Sequence, residues 1–503
     1  MGLGKKLISN TTFLLIDWFF VSAFSLLFWL VIGKFLSKED YGIITTSINT
    51  AILLSTVSLL GFGTTLTKLI SEYIQKGKKN LYVTLIKFSF KILIVSNLLI
   101  IAVLALFSND ISTFLKIPQT HVILIGIATL LMSLSNVAGY ILQGFQEMKV
   151  IALSDLFGYF IKASGTLIAL LFFPSSIFPV IIFAISYLIL SLLRIKFRWF
   201  LEKGDGLDYK KIISNYAIPT FIGSIAWMTF TNAQYIILNV IQNPTTTGVF
   251  SIAAILTTLI AIIPVTLNGA LFPILSQLSV SSTFKRQQKF FLSTVLRYAL
   301  ILALPLTLLF TLFPTKLIIL FSKPEFLDAK SLFPILSFAA LLNGIGIIFH
   351  SSLYALRKVM LNTTLIIFTA IIFFVLAIIL TEMFSAMGLA VAYTTAMIFL
   401  FSSSLICLRK IVRFSVPRFD IAKIVIATII SISIYAFLLT LSKNNLLQII
   451  FLGVSACFYL ISLLFLKFFN KLDLKILEFI SGYAPSFLKN LLDVVIKIIS
   501  KFS

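Results

Sequence analysis

Fourteen apolar stretches of 18 or more residues recur along the chain, with only short polar segments between them. An α-helix rises about 1.5 Å per residue, so about 20 apolar residues cross the roughly 30 Å of hydrocarbon in a bilayer. The stretches run over 11–33, 41–66, 82–107, 119–142, 151–173, 177–198 and 212–240, then 248–273, 289–313, 329–352, 360–381, 385–409, 420–441 and 446–466. They are continuously apolar. Barrel strands would alternate apolar and polar residues, so helices are expected. Only 11% of the residues are charged, against about a quarter in soluble domains, which excludes a soluble fold. The fold class expected is an all-α multi-pass membrane protein of about 14 transmembrane helices. The first stretch is longer than a signal-peptide core and no small-residue cleavage site follows it, so it is expected to remain as the first span.

A net charge of +23 would suit a nucleic-acid partner, but the placement of the charges argues against one. Of the 40 Lys and Arg residues, 29 fall in the segments on the N-terminal side of the membrane. Seven lie on the opposite side: Lys34, Lys38, Lys116, Lys316, Lys323, Lys330 and Lys443. The other four lie inside apolar stretches. Basic residues are retained on the cytoplasmic side. This asymmetry therefore predicts a multi-pass protein of the cell membrane with cytoplasmic N- and C-termini. Cys407 and Cys457 both sit inside apolar stretches, where thiols behave as small hydrophobes. No zinc spacing and no other metal motif is present.

The chain carries an internal repeat. Ser37-Lys-Glu-Asp-Tyr-Gly follows the first stretch, and Asn243-Pro-Thr-Thr-Thr-Gly follows the seventh, which sets Gly42 against Gly248 at an offset of 206. Glu147-Met-Lys-Val and Leu356-Arg-Lys-Val correspond at an offset of 209. Units of six helices, an even number, share one orientation and relate by an axis along the membrane normal. The expected organisation is a six-helix lobe over 1–200, a second over 201–411 and two further helices over 412–470. A tail over 471–503 follows, in which Lys489, Asp493, Lys497 and Lys501 recur every four residues opposite an apolar face. Such a helix lies in the membrane interface.

The stretch Gly33–Asn80 contains Glu-Asp-Tyr-Gly at 39–42, Gly-Phe-Gly-Thr at 61–64 and a basic Ser-Glu-Tyr loop. It resembles the opening signature of the polysaccharide and oligosaccharide-lipid flippases of the multidrug/oligosaccharidyl-lipid/polysaccharide exporter superfamily. Leu142-Gln-Gly-Phe-Gln-Glu-Met-Lys and Pro324-Glu-Phe-Leu-Asp-Ala are similar to later blocks of that family. The resemblance covers roughly residues 5–465. It implies alternating access between two six-helix lobes, moving a glycan on a polyprenyl or dolichyl phosphate or diphosphate from the cytoplasmic to the outer leaflet. Lipid-linked glycan and membrane lipids are the implied partners, with other glycan-assembly membrane proteins as candidates. No nucleic acid and no cofactor are implied.

That task requires cationic groups within the bilayer, where an unpaired charge costs at least about 2.5–3.5 kcal/mol. The charges inside apolar stretches are Asp17, Lys87, Lys91, Asp155, Lys162 and Arg297, all in the inner half or near the middle of their stretches. Lys91, Lys162 and Arg297 are the candidate substrate-binding cations, Arg297 because its planar fork suits a phosphate. The other reading of Lys162 and Arg297 is structural pairing with Asp155 or Asp17. Asp17 is a candidate ion-coupling site. Asn232 and Gln234 stand where members of the family often carry an ionisable pair, so they join the substrate-binding candidates and weaken direct cation coupling through the second lobe. Pro219, Pro264, Pro273 and Pro305 are candidate bends.

No catalytic residues are expected. There is no P-loop, and no long outer loop bearing paired carboxylates, as a membrane glycan polymerase or ligase would need. The two rivals to the flippase reading are that polymerase or ligase and a cation-coupled multidrug exporter of the same superfamily, which Asp17 keeps in play.

Overall fold

The computed structural model describes residues 3–470, apart from 197, 203, 205, 280–284, 415, 417 and 443, and scattered positions beyond 470 that include Asp473. Lipid offers no partners to backbone N–H and C=O groups, so a chain this apolar must bond them internally. Helices do so, and no strand occurs among the described residues.

The first half comprises α1 (Leu3–Phe35), α2 (Lys38–Ser58), α3 (Phe62–Gln75), α4 (Lys79–Leu106), the short α5 (Ser108–Leu115), α6 (Gln119–Gly144), α7 (Met148–Phe172) and α8 (Ile177–Arg194). A linker holds two single turns, α9 (Arg198–Leu201) and α10 (Tyr209–Ile212), and leads through a π-helical turn (Ile213–Ala217) into the second half. There α11 (Ile218–Thr231), α12 (Ala233–Ile241), α13 (Pro244–Leu278), α14 (Lys285–Leu312) and α15 (Pro314–Phe321) follow. After a 3₁₀ stretch at Pro324–Ser331 come α16 (Phe333–Ala355), α17 (Val359–Val412), α18 (Arg418–Leu441) and α19 (Asn445–Phe465).

The apolar stretches of the sequence are helical, though 41–66 is divided between α2 and α3, 212–240 between α11 and α12 with the turns before them, and 360–381 and 385–409 share α17. Among the described residues nine helices are long and apolar enough to cross a bilayer, or ten if the bent pair α2–α3 is one span. Other apolar helices are shorter, at Phe19–Phe35 and Ile450–Phe465, or interrupted. α17 contains a non-helical Ser385 (φ 54°, ψ −136°) at the expected boundary between two stretches. A Cβ on Gly388 would stand 1.8 Å from the Leu380 carbonyl oxygen, so this turn requires glycine there. The amphipathic tail expected at 471–503 lies mostly outside the described residues.

Local sequence explains where α2 begins and ends. The Ser37 hydroxyl accepts the Asp40 N–H at 3.1 Å, capping the helix, and Glu39 and Asp40 place negative charge at its positive end. The helix stops where Leu60 and Gly61 both take positive φ (45° and 78°), and α3 leaves at 46°. Proline does not cause this bend.

Within the first half α1 packs on α7, and α6 packs on α2, α3, α4 and α8; in the second, α13 packs on α14 and α16, and α16 on α17. The halves meet chiefly along α2 and α13. A Cβ on Gly42 would lie 1.8 Å from the carbonyl oxygen of Pro244, and one on Gly248 would lie 1.8 Å from that of Lys38. The two contacts exchange under the same 206-residue offset, as a two-fold relation between the halves would require. One apolar core spans both halves, with Phe28, Ile44, Phe230, Phe250 and Phe333 within it. Two others stay largely apart: one around Leu66, Ile86 and Ile141, the other around Leu296, Leu353, Ile424 and Leu463. The second of these fastens α18 and α19 to the second half.

Candidate functional site

A cavity of about 560 Å³ lies between the halves, within the size range of small-molecule sites. The first half contributes Ser25 and Phe28 from α1, Asn49 from α2, Tyr159 and Lys162 from α7 and Tyr187 from α8. The second contributes Asn232 and Gln234 around the α11–α12 junction, Thr257 and Thr258 from α13, Asn343 from α16 and Tyr393 from α17. Lys162 is the single charged residue among the lining residues, and no acid accompanies it. Its ammonium donates to the Ser25 hydroxyl at 3.2 Å. It also stands 4.2 Å from the ring centre of Tyr159 and 5.2 Å from that of Phe28. These ring faces attract a cation without neutralising it, so the charge stays available to an anion entering the cavity.

The opposite wall is neutral and polar. The Asn232 amide donates to the Thr231 hydroxyl at 2.8 Å, and the Gln234 amide donates to the Thr231 carbonyl at 3.0 Å. The buried Gln234 carbonyl oxygen has no protein partner.

The remaining candidates lie elsewhere. Arg297 of α14 is buried but does not line the cavity. It makes a two-pronged contact with Asp473, at 2.7 and 2.9 Å, and an ion pair of 2.9 Å with Asp420 of α18. Tyr298 and the Phe468 carbonyl complete that network. Lys162 and Arg297, both candidate substrate-binding cations in the sequence, therefore do not share one space: the planar fork of Arg297 is occupied by carboxylates of this chain. Asp473 lies seven residues past the last apolar stretch, which is why spacing alone did not reveal it. Lys91 is exposed on α4 and is absent from the cavity lining.

Asp17 is buried on α1, with one carboxylate oxygen unpartnered. It lies within electrostatic reach of Asp155 and Arg194. Asp155 does not pair with Lys162. It pairs with Arg194 at 2.5 Å, and Arg194 also donates to the hydroxyls of Ser154 (2.9 Å) and Ser135 (3.2 Å). Sequence reading did not single out Arg194, which lies near the end of the 177–198 stretch, the next along the chain after that of Asp155. Among the described residues no group of three His, Cys, Asp or Glu side chains could hold a metal ion.

At one end of the cavity the halves are latched by lysines from the sparse set. Lys34 donates to the carbonyls of Ile319 (2.9 Å) and Ser322 (3.1 Å), and Lys323 returns a bond to Phe35 at 2.8 Å. Lys38 pairs with Asp328 at 2.8 Å, and Lys116 donates to Gln242 at 2.6 Å. Each bond joins one half to the other. Toward the opposite end the contact is lighter: Thr220 donates to the Gly61 carbonyl at 2.7 Å, and the Lys68 ammonium lies 4.6 Å from the Tyr216 ring centre.

Residues 7–279 match the family model described as polysaccharide biosynthesis protein, more than half of the chain. The chain belongs to the polysaccharide biosynthesis protein family. Its fold is shared with solved transporters. A structure titled lipid II flippase MurJ, inward closed conformation, matches with a TM-score of 0.71 at 16% identity, over 89% of this chain and 97% of that one. An inward-facing multidrug resistance transporter of the MATE family in the MOP superfamily matches at 0.62 and 14%, over 78% and 96%. A MOP superfamily transporter from Pyrococcus furiosus, titled for the reverse polarity of its binding pocket, matches at 0.57 and 12%, over 82% and 97%. No curated protein matches significantly. This member of the polysaccharide biosynthesis protein family is thus an all-helical, multi-pass membrane protein with a transporter fold.

Proposed function

We propose that the protein is a flippase for an oligosaccharide linked to a polyprenyl or dolichyl phosphate or diphosphate, and not an enzyme. It would carry the glycan from the cytoplasmic to the outer leaflet by alternating access. The observation that carries this reading is the polarity of the cavity: Lys162 is its single charge, held by aromatic faces and a hydroxyl, with no acid among the lining residues. An exporter of cationic drugs needs the opposite sign, so the multidrug alternative is disfavoured. The neutral amides and hydroxyls opposite, with Trp29, Tyr159, Tyr235 and Tyr393 along the walls, suit sugar hydroxyls and ring faces.

The proposal includes lobes at 1–200 and 201–411, helices 13 and 14 within 412–470, and cytoplasmic termini. The count of fourteen spans treats α2–α3 and α11–α12 each as one and divides α17 at Ser385. The latched end then faces outward and carries few lysines, as the positive-inside rule requires. Asp17, near the Asp155–Arg194 pair, is the group we assign to ion coupling.

The test is Lys162→Ala in a strain that depends on this protein for surface glycan. Glycan at the surface should fall at least 10-fold with normal protein abundance in a membrane blot. Unchanged glycan would remove the phosphate-binding role. Normal glycan in Asn232→Ala and Gln234→Ala as well would remove the cavity from the mechanism altogether.

A further inference from the structure

A second, smaller cavity of about 240 Å³ lies at the latched end, bounded by Lys34 of α1, Phe313 and Lys316 beside and on α15, Tyr435 of α18, and Gln448 and Leu452 of α19. It therefore touches both halves and the extra helix pair at once. Two lysines line it and no acidic side chain does. Lys34 is committed to the carbonyls of Ile319 and Ser322, the last turn of α15, where the helix dipole is negative. Lys316, half-buried on the same short helix, has no hydrogen bond or ion pair among the described residues, and neither does the Tyr435 hydroxyl. Lysine is rare on this side of the molecule, and Lys34, Lys38, Lys116 and Lys323 are used to join the halves. An unpaired lysine beside an apolar wall is therefore an opening for an anion with a hydrocarbon body.

We infer that this cavity holds the headgroup of an anionic phospholipid from the bordering leaflet. The phosphate would sit between Lys316 and Lys34, the Tyr435 hydroxyl would donate to it, and an acyl chain would lie against Leu309, Leu317 and Leu452. The cavity is less than half the volume of the central one, which is too small for a phosphate carrying a glycan. A lipid phosphate competes with the Ile319 and Ser322 carbonyls for the Lys34 ammonium, so its binding loosens one of the bonds that hold this end shut. The site thus couples leaflet composition to opening, and it does so whatever the transported molecule is.

The experiment uses the full-length protein, purified and offered phosphatidylglycerol or phosphatidylcholine, with bound lipid read by native mass spectrometry. The wild type should retain one phosphatidylglycerol in preference to phosphatidylcholine. Lys316→Ala should reduce that preference about 5- to 10-fold. Lys330→Ala, which removes an exposed lysine at the same end but outside the cavity, should not. Equal retention by wild type and Lys316→Ala overturns the proposal, as does an equal loss in Lys330→Ala, which would mean a diffuse surface charge. Tyr435→Phe keeps the ring and its packing and should weaken retention by a smaller factor. Equal binding of both lipids by the wild type would show a general acyl-chain groove and would also overturn the assignment.

Discussion

Single residues divide into those that face a ligand and those that hold the fold, and two cations show the difference. Both Lys162 and Arg297 are basic, buried and inside apolar helices, so sequence alone could not separate their roles. Their neighbours do. Lys162 finds rings and a hydroxyl, whereas Arg297 finds two carboxylates. Removing one partner of a buried ion pair costs about 3–5 kcal/mol, because the other charge is left uncompensated. Arg297→Ala should therefore lower protein abundance and the midpoint of thermal unfolding in detergent, through the stranded Asp473. Arg297→Lys should lie between, since an ammonium cannot reproduce the two-pronged contact. Wild-type thermal stability in Arg297→Ala with transport lost would return the residue to the transport path. The depth of Lys162 was legible from its distance along an apolar stretch. The partners of Arg297 were not, because Asp473 reaches it from 176 residues away.

At the scale of elements, hydropathy placed the helices well, because each must span or pack in hydrocarbon. It placed their bends less well. Prolines were expected to mark them, yet the 46° turn between α2 and α3 arises from positive φ at Leu60 and Gly61. Backbone handedness leaves a weak trace in sequence when one of the two residues is leucine. Helix approach is better recorded, since Gly42 and Gly248 stand at matching places in the repeat. Any side chain at either must push α2 and α13 apart, as its first carbon meets a carbonyl oxygen at 1.8 Å. Gly42→Ala should shift the population toward opening at the latched end. A cysteine at Thr258, exposed within the cavity, should then label several-fold faster from outside the cell, after Cys407 and Cys457 are replaced. Unchanged labelling would mean that the crossing yields without opening the seam.

For the whole molecule, the charge asymmetry argues for an orientation that labelling can check. Cysteines at 199–211 and 411–418 should react from the cytoplasm, and ones at 174–176 and 243–246 from outside. Reaction of 205 and 245 from the same side would refute the arrangement. A thiol-reactive bridge between cysteines at Lys38 and Asp328 should stop transport, and cleaving the bridge should restore it, because the 2.8 Å pair joins the two halves. Continued transport with the bridge in place would show that this seam need not part. The reciprocal glycine contact also says something about descent. If the two halves arose by duplication, the ancestral unit would have paired with a second copy of itself, and one glycine would have met one carbonyl twice about a true dyad. Such a dimer repeats every group in its central space, so a lysine at the position of Lys162 would have appeared as two. In the fused chain the corresponding positions, 368–371, read Phe-Thr-Ala-Ile. On that history, joining the copies would have released the second half from carrying the charge, leaving Lys162 as the one cation among the described lining residues, facing amides and hydroxyls. A passenger with an anionic end and a sugar end therefore has only one way to sit.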